Sequence, residues 1–262
     1  MTIDDRDVAV LCDIAREAGR AILALYGTDC STATKHDASP LTQADTDADA
    51  IIGERLASAF PGVPIVSEES APAQTSAADV FFLVDPLDGT KEFLNRTDEF
   101  TVNIAVISQG RPVAGVVLAP ATGELFSAAG DRPARKHDSG AGLDLRIARF
   151  DRSRPLRVIG SRSHAGAAMQ EWLDALDVPY TFVAAGSSLK FCRIAEGRAD
   201  VYPRFGHTSQ WDTAAAQAVL ERAGGSVADL SGAPLCYGCD RPMLNPHFIA
   251  IGDPCISSLI RK

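Results

Sequence analysis

No apolar run in this chain approaches the roughly 20 residues needed to span a bilayer. Its first residues, Met1-Thr2-Ile3-Asp4-Asp5, carry no basic leader of the kind that opens a secretory signal. The expectation is a cytoplasmic protein, with peripheral attachment at the inner face of the cell membrane left open. Basic residues are in short supply as well: 25 Lys and Arg against 34 Asp and Glu give a formal net charge of -9. Such a balance argues against a nucleic-acid polymer as partner. A small phosphate ester is not excluded, because bound divalent cations reverse a local field. The six cysteines, Cys12, Cys30, Cys192, Cys236, Cys239 and Cys255, are scattered. Cys236-Tyr237-Gly238-Cys239 has no second pair to complete a zinc site and does not open a helix, so reduced structural thiols are expected. There is no internal repeat and no low-complexity tract.

What is present is ordinary globular composition, 46% hydrophobic and 23% charged, which excludes disorder and fibre. The length suits one large domain or two intimately packed halves. Apolar spacing predicts a helix over 4–26, capped by Asp4 or Asp5 and stopped at Gly27. Thr42-Gln43-Ala44-Asp45 has the pattern of a capping box opening a second helix that ends at Pro61-Gly62. Short strands are predicted at Val63–Ser67 and Val80–Val84, then an antiparallel meander through Phe100–Ser108, Pro112–Ala119 and Glu124–Ala129. The Arg-rich stretch from Arg132 to Arg157 reads as a loop and hairpin region joining the halves. Beyond it, strands at Leu156–Ser161, Tyr180–Ala184, Asp200–Pro203 and Ser226–Asp229 alternate with helices at Ala165–Ala175, Leu189–Ala195 and Trp211–Ala223, which means α/β layers. The division expected is an α+β half over 1–135, a connection over 136–155 and an α/β half over 156–262.

The chemistry gathers around Asp85-Pro86-Leu87-Asp88-Gly89-Thr90, directly after the apolar run Val80-Phe81-Phe82-Leu83-Val84. Proline fixes its own φ and glycine permits a tight turn, so both acids and the Leu87 carbonyl can aim at one point. Oxygen donors alone suit magnesium or manganese better than zinc. Capping of a turn by Asp85 and of a helix by Asp88 is the plain alternative. Ser67-Glu68-Glu69 ends a neighbouring predicted strand, and acids at two adjacent strand ends call for a cation between them. Strand alternation points only one of Glu68 and Glu69 at the metal. Trp211-Asp212-Thr213 places another acid at a helix start, where it is a cap by default and can also be a ligand. Gly186-Ser187-Ser188-Leu189-Lys190 and Tyr202-Pro203-Arg204 offer hydroxyls, cations and a helix start to an anion.

Taken together, Val84 through Phe93, Ser67-Glu68-Glu69, Ser39-Pro40-Leu41-Thr42-Gln43-Ala44-Asp45 and Trp211-Asp212-Thr213-Ala214-Ala215 resemble the lithium-sensitive, magnesium-dependent phosphomonoesterase superfamily. That group contains inositol monophosphatases, fructose bisphosphatases and 3'(2'),5'-bisphosphate nucleotidases. Lys91-Glu92, Gly186 through Cys192, Ala195-Glu196-Gly197, Tyr202 through Gly206 and Leu244-Asn245-Pro246 resemble the bacterial nucleotidases in particular. Ala216 departs from the glycine common in the Trp-Asp motif, and His164 is a candidate for the adenine contact, a surface histidine being the plain alternative.

The resemblance implies a layered αβαβα sandwich. It implies Glu68, Asp85, the Leu87 carbonyl, Asp88 and Asp212 as ligands of two magnesium ions, with a third near Asp45 and manganese able to substitute. Thr90 with Glu68 would activate water, and Gly89 and Thr90 would offer backbone N–H groups to the phosphate. Ser187, Ser188, Lys190 and Arg204 would hold the rest of a nucleotide bisphosphate, in a pathway of sulfate assimilation. Inositol or sugar phosphates are the alternative substrates within the group. A haloacid-dehalogenase-type phosphatase places its acids one residue apart, whereas two residues separate Asp85 and Asp88 here. A binding protein without activity is disfavoured because no apolar residue replaces a ligand position.

Overall fold

The computed structural model describes residues 3–28, 32–34, 40–70, 78–137, 142–161 and 166–260. Helix α1 (Asp5–Leu25) begins where the Asp4 carboxylate accepts hydrogen bonds from the Arg6 and Asp7 N–H groups, and it buries Leu11, Ile14, Ala15, Ala18 and Ile22. A short antiparallel pair, β1 (Thr32–Thr34) and β2 (Pro40–Thr42), leads into α2 (Gln43–Ala59). The capping box at the head of α2 is present: the Thr42 N–H donates to Asp45 Oδ2 at 2.8 Å, while Thr42 Oγ1 accepts from the Ala44 N–H at 3.2 Å.

The first sheet runs in chain order through β3 (Ile65–Ser67), β4 (Val80–Asp88), β5 (Thr101–Ser108), β6 (Arg111–Ala119), β7 (Glu124–Ala129), β8 (Arg135–His137) and β9 (Leu143–Asp144). Only β3 and β4 are parallel; the rest is the antiparallel meander. Its last two strands fall inside the segment read as a connection, so the sheet continues past residue 135. Both faces are covered, which explains the near-continuous apolar runs. Phe82, Val84, Val102, Ile104, Val116 and Leu118 pack toward α1 and α2. Phe81, Leu83, Ala105, Ile107, Val117 and Ala119 face the opposite way, into the core shared with the second half.

The second sheet has the order β11-β10-β12-β14-β13, from β10 (Leu156–Gly160), β11 (Tyr180–Ala184), β12 (Val201–Arg204), β13 (Ser226–Asp229) and β14 (Phe248–Ile251). Between the sheets lie α5 (Leu189–Ala195) and α6 (Gln210–Arg222). On the far side α4 (Ala167–Asp174) and the turn Pro254–Ile256 close a smaller cluster around Leu156, Val158 and Val201. The result is the αβαβα layering. Helix α6 approaches the first sheet so closely that a β-carbon at Gly115 would lie 2.3 Å from the Ala215 carbonyl oxygen. Glycine on β6 and the alanines of α6 therefore carry the contact between the halves.

Candidate active site

Strand β4 does not stop at Val84 but continues to Asp88. In a regular strand Asp85 and Asp88, an odd number of positions apart, would face opposite sides. The register shows how this is avoided: Asp85 pairs with Asn103 and Asp88 with Thr101, so β4 advances by one residue more than β5. That extra residue is a bulge. It resets the alternation and lets both acids serve one side, and it places Pro86 where the ladder needs no donor. Gly89 follows with φ 92°, a conformation that disfavours a side chain, and a β-carbon there would press on the Glu99 carbonyl oxygen at 3.3 Å.

The parallel pairing of Ser67 with Val84, and the Glu68 N–H donated to the Val84 carbonyl at 3.2 Å, set Glu68 beside Asp85. From the other half, α6 delivers Asp212. This acid is not the N-cap; Ser209 is, and Asp212 is its capping-box partner, accepting the Ser209 N–H at 2.8 Å. Glu68, Asp85, Leu87, Asp88, Gly89, Thr90, Arg204 and Asp212 all line one cleft of about 260 Å³. A smaller cleft of about 110 Å³ shares Asp88, Gly89, Arg204 and Asp212 with it and adds Ser187, Lys190 and Tyr202.

The plain reading of Asp85 is also realised, since its Oδ1 accepts from the Leu87 N–H at 3.1 Å. That of Asp88 is not, for the short helix α3 (Thr90–Leu94) has Gly89 as its N-cap. Asp88 Oδ2 instead accepts from the Ser188 N–H at 2.6 Å and, at 3.4 Å each, from Asn103 and Thr101. Ser188 is only 1% exposed and lines neither cleft: its hydroxyl donates to Asn103 Oδ1 at 2.7 Å, while its backbone N–H holds Asp88.

Thr90 Oγ lies 3.1 Å from Asp45 Oδ1 and 3.3 Å from the Leu87 carbonyl. Asp45 is fully buried behind it, outside the cleft lining, with its other oxygen taken by Thr42. Lys190 is buried too, with its ammonium bonded to the Ser187 carbonyl at 2.6 Å. Burial brings that ammonium down to about 8, opposed chiefly by the Asp88 carboxylate. Arg204 Nη2 donates to the His207 carbonyl at 2.8 Å, while its buried Nε has no partner among the described residues. His164 lies outside the described residues. Cys236 and Cys239 are free thiols on a loop that Tyr237 pegs to α6 through Thr213 and Gln217.

Glu92, His207 and Thr208 line the clefts and were not assigned from sequence. Glu92 stood in the motif as a marker only; His207 and Thr208 had a signal in lying just before Trp211-Asp212.

Does this site fit a metal? Its donors are carboxylates and one carbonyl, the set a hard divalent cation takes. Among the described residues no three acids are drawn close enough to clasp an ion outright, but they crowd one another electrostatically. Burial pushes the Asp212 carboxyl well above the usual carboxylate range, and Asp88 and Glu68 push it further. Asp88 is raised as well, first by burial, against the pull of Lys190 and the Ser188 N–H. Buried acids forced together in this way need a compensating cation.

For acids raised on folding, the associated stability is fully present below the ordinary carboxylate value near 4 and is lost as pH rises through the raised values. Melting curves should therefore show a magnesium-induced gain that is small near about pH 5.5 and larger near about pH 8.5. A gain independent of pH would count against the acid cradle.

A layered αβαβα chain with an acid-lined cleft at the bulged end of a strand defines a phosphatase of the sugar-phosphatase type. The comparisons with known proteins make this specific. Residues 4–250 match the model of the Inositol monophosphatase family, and the chain belongs to that family, whose members are metal-dependent phosphatases. It is 45% identical to 3'(2'),5'-bisphosphate nucleotidase CysQ of Escherichia coli K12, over 91% of this chain and 96% of that protein. The nucleotidase CysQ of Haemophilus influenzae is 33% identical over 97% and 95%. Among solved structures, CysQ from Bacteroides thetaiotaomicron superposes with a TM-score of 0.82 at 34% identity, covering 94% of this chain and 97% of that one. The extragenic suppressor protein SuhB from Bartonella henselae gives 0.82 at 28%, covering 97% and 96%. No helix among the described residues is long and apolar enough to cross a membrane.

Proposed function

We propose that this protein is a magnesium-dependent 3'(2'),5'-bisphosphate nucleotidase. It hydrolyses adenosine 3',5'-bisphosphate to AMP and phosphate, accepts the sulfated relative PAPS as a second substrate, and serves sulfate assimilation in the cytoplasm. The observation that carries this reading is the pair of joined clefts: the larger gathers Glu68, Asp85, Asp88 and Asp212, and the smaller adds Ser187 and Lys190 beside the shared Arg204. A nucleotide bisphosphate has two anionic groups, and only one of them reacts. The likeness to the CysQ nucleotidases supports the same substrate class.

Glu68, Asp85, the Leu87 carbonyl, Asp88 and Asp212 would hold two magnesium ions, with a third near Asp45 and manganese able to substitute. Bound there, they would neutralise the phosphate and lower the pKa of water. The chain's own residues do the rest. The Thr90 hydroxyl, with its proton directed to Asp45, presents lone pairs to the attacking water and orients it. Glu68 accepts the proton that water gives up. The water oxygen bonds to phosphorus, the bond to the ribose oxygen breaks in line, and the proton taken from the water restores the hydroxyl of AMP. No phospho-enzyme forms. In the smaller cleft, Ser187, Lys190 and Arg204, whose Nε has no hydrogen-bond partner among the described residues, offer donors to the phosphate that stays.

The test is relative kcat/KM for adenosine 3',5'-bisphosphate and inositol 1-phosphate with magnesium. Preference for the nucleotide is expected. Release of phosphate from inositol 1-phosphate alone would make this an inositol monophosphatase of the same family.

A further inference from the structure

Helix α2 carries a second acid one turn after Asp45, and no step above uses it. Asp45 and Asp49 lie four residues apart and so share one helix face. While Asp45 holds Thr90, Asp49 holds the segment that presents Glu68. Its Oδ1 accepts from the Ser67 hydroxyl at 2.5 Å, and its Oδ2 accepts from the Ser70 hydroxyl. Ser67 and Ser70 bracket Glu68 on both sides. Between them, the Glu68 N–H is tied to the Val84 carbonyl at 3.2 Å. Glu68 thus sits on a short arch with both feet on one carboxylate and its middle on β4.

The strand β3 that leads to this arch is only three residues long, Ile65–Ser67, and Ser70 is exposed. Strand pairing alone therefore fixes Glu68 from one side only. The Asp49 clamp adds a constraint from the helix side, and it does so from the same helix that positions Thr90.

We propose that Asp49 is a positioning residue: by clamping the Ser67 and Ser70 hydroxyls it fixes the direction of Glu68 and so sets the affinity of the site for magnesium. The inference rests on the metal role given to Glu68 above. Groups that orient a ligand characteristically change metal affinity when removed, even though they never touch the ion. Helix α2 then acts as a common ruler for the group that orients water and the group that binds metal.

Calorimetric titration of the magnesium-free protein with Mg²⁺ reads the effect without any turnover. Asp49→Ala is expected to weaken Mg²⁺ binding about tenfold. Asp49→Asn, which still offers an oxygen to one serine and an N–H to the other, should recover most of it. The double variant Ser67→Ala/Ser70→Ala removes the clamp from its other end and should reproduce the loss, which keeps the test decisive should Asp49→Ala fail to fold. Asp47→Ala, a neighbouring acid on α2 whose carboxylate accepts from Gln43, should bind as wild type does. Activity should show the same defect as a raised magnesium requirement, with kcat near wild type at saturation.

A merely structural role would lower the melting temperature and leave Mg²⁺ affinity unchanged; wild-type affinity in Asp49→Ala and in the double serine variant overturns the proposal. Should Glu68→Gln also bind Mg²⁺ like wild type, or should wild type bind none, the metal role of Glu68 fails first and this inference with it.

Discussion

Asp85→Ala is expected to lower turnover at least about 10²-fold at saturating magnesium, a loss of the size seen when one preorganised charge contact to a transition state is removed. Asp85 is 1% exposed at the bulge of β4 and lines the cleft with Glu68 and Asp212. It also accepts the Leu87 N–H, so the alanine variant removes a turn contact along with a charge. Asp85→Asn separates the two. The amide oxygen still accepts that N–H, but the charge is gone, and turnover should fall nearly as far. Measured kcat for adenosine 3',5'-bisphosphate decides the matter: wild-type turnover in Asp85→Asn would reduce Asp85 to a turn cap.

Thr90→Ala should cost about 10²-fold in kcat, the loss expected when the attacking water is no longer held in place. Thr90→Ser, which keeps the hydroxyl, should retain most activity. The partner of that hydroxyl is the fully buried Asp45, so Asp45→Asn should cost a comparable factor. Because the two residues act as one unit, the double variant Asp45→Asn/Thr90→Ala should be little worse than the poorer single variant. Losses that multiply would mean that Asp45 and Thr90 work separately.

Much of this site can be read from the chain because local rules and function agree at several positions. Thr42 and Asp45 form the capping box their spacing predicts, and the same Asp45 reaches Thr90. The layered fold follows from apolar runs buried on both faces and from the strand and helix alternation after Leu156. The failures have physical causes too. Proline suggested that β4 ended at Val84, whereas the bulge absorbs Pro86 without costing a ladder bond. Strand β14 and helix α3 are four and five residues long and take their stability from neighbours, not from their own periodicity.

Ser188 shows the deeper limit. A hydroxyl at a helix start looks the same in sequence whether it faces solvent or core. Here it faces Asn103 and Thr101 of the other half. Contacts across so long a stretch of chain, like those that bring Glu92 and His207 to the cleft, follow from the packing of α6 on the first sheet, which no short motif encodes. Asp49 is legible only in retrospect. Its register with Asp45 is plain, but its partners are the two serines around Glu68.

Acids from β4, from the end of β3 and from α6 are assigned above to one metal cradle. Crystals grown with Mn²⁺ and measured for anomalous scattering test it most directly. Manganese peaks bounded by Glu68, Asp85, the Leu87 carbonyl, Asp88 and Asp212 are expected. Manganese bound elsewhere on the protein, with none among these five residues, would contradict it.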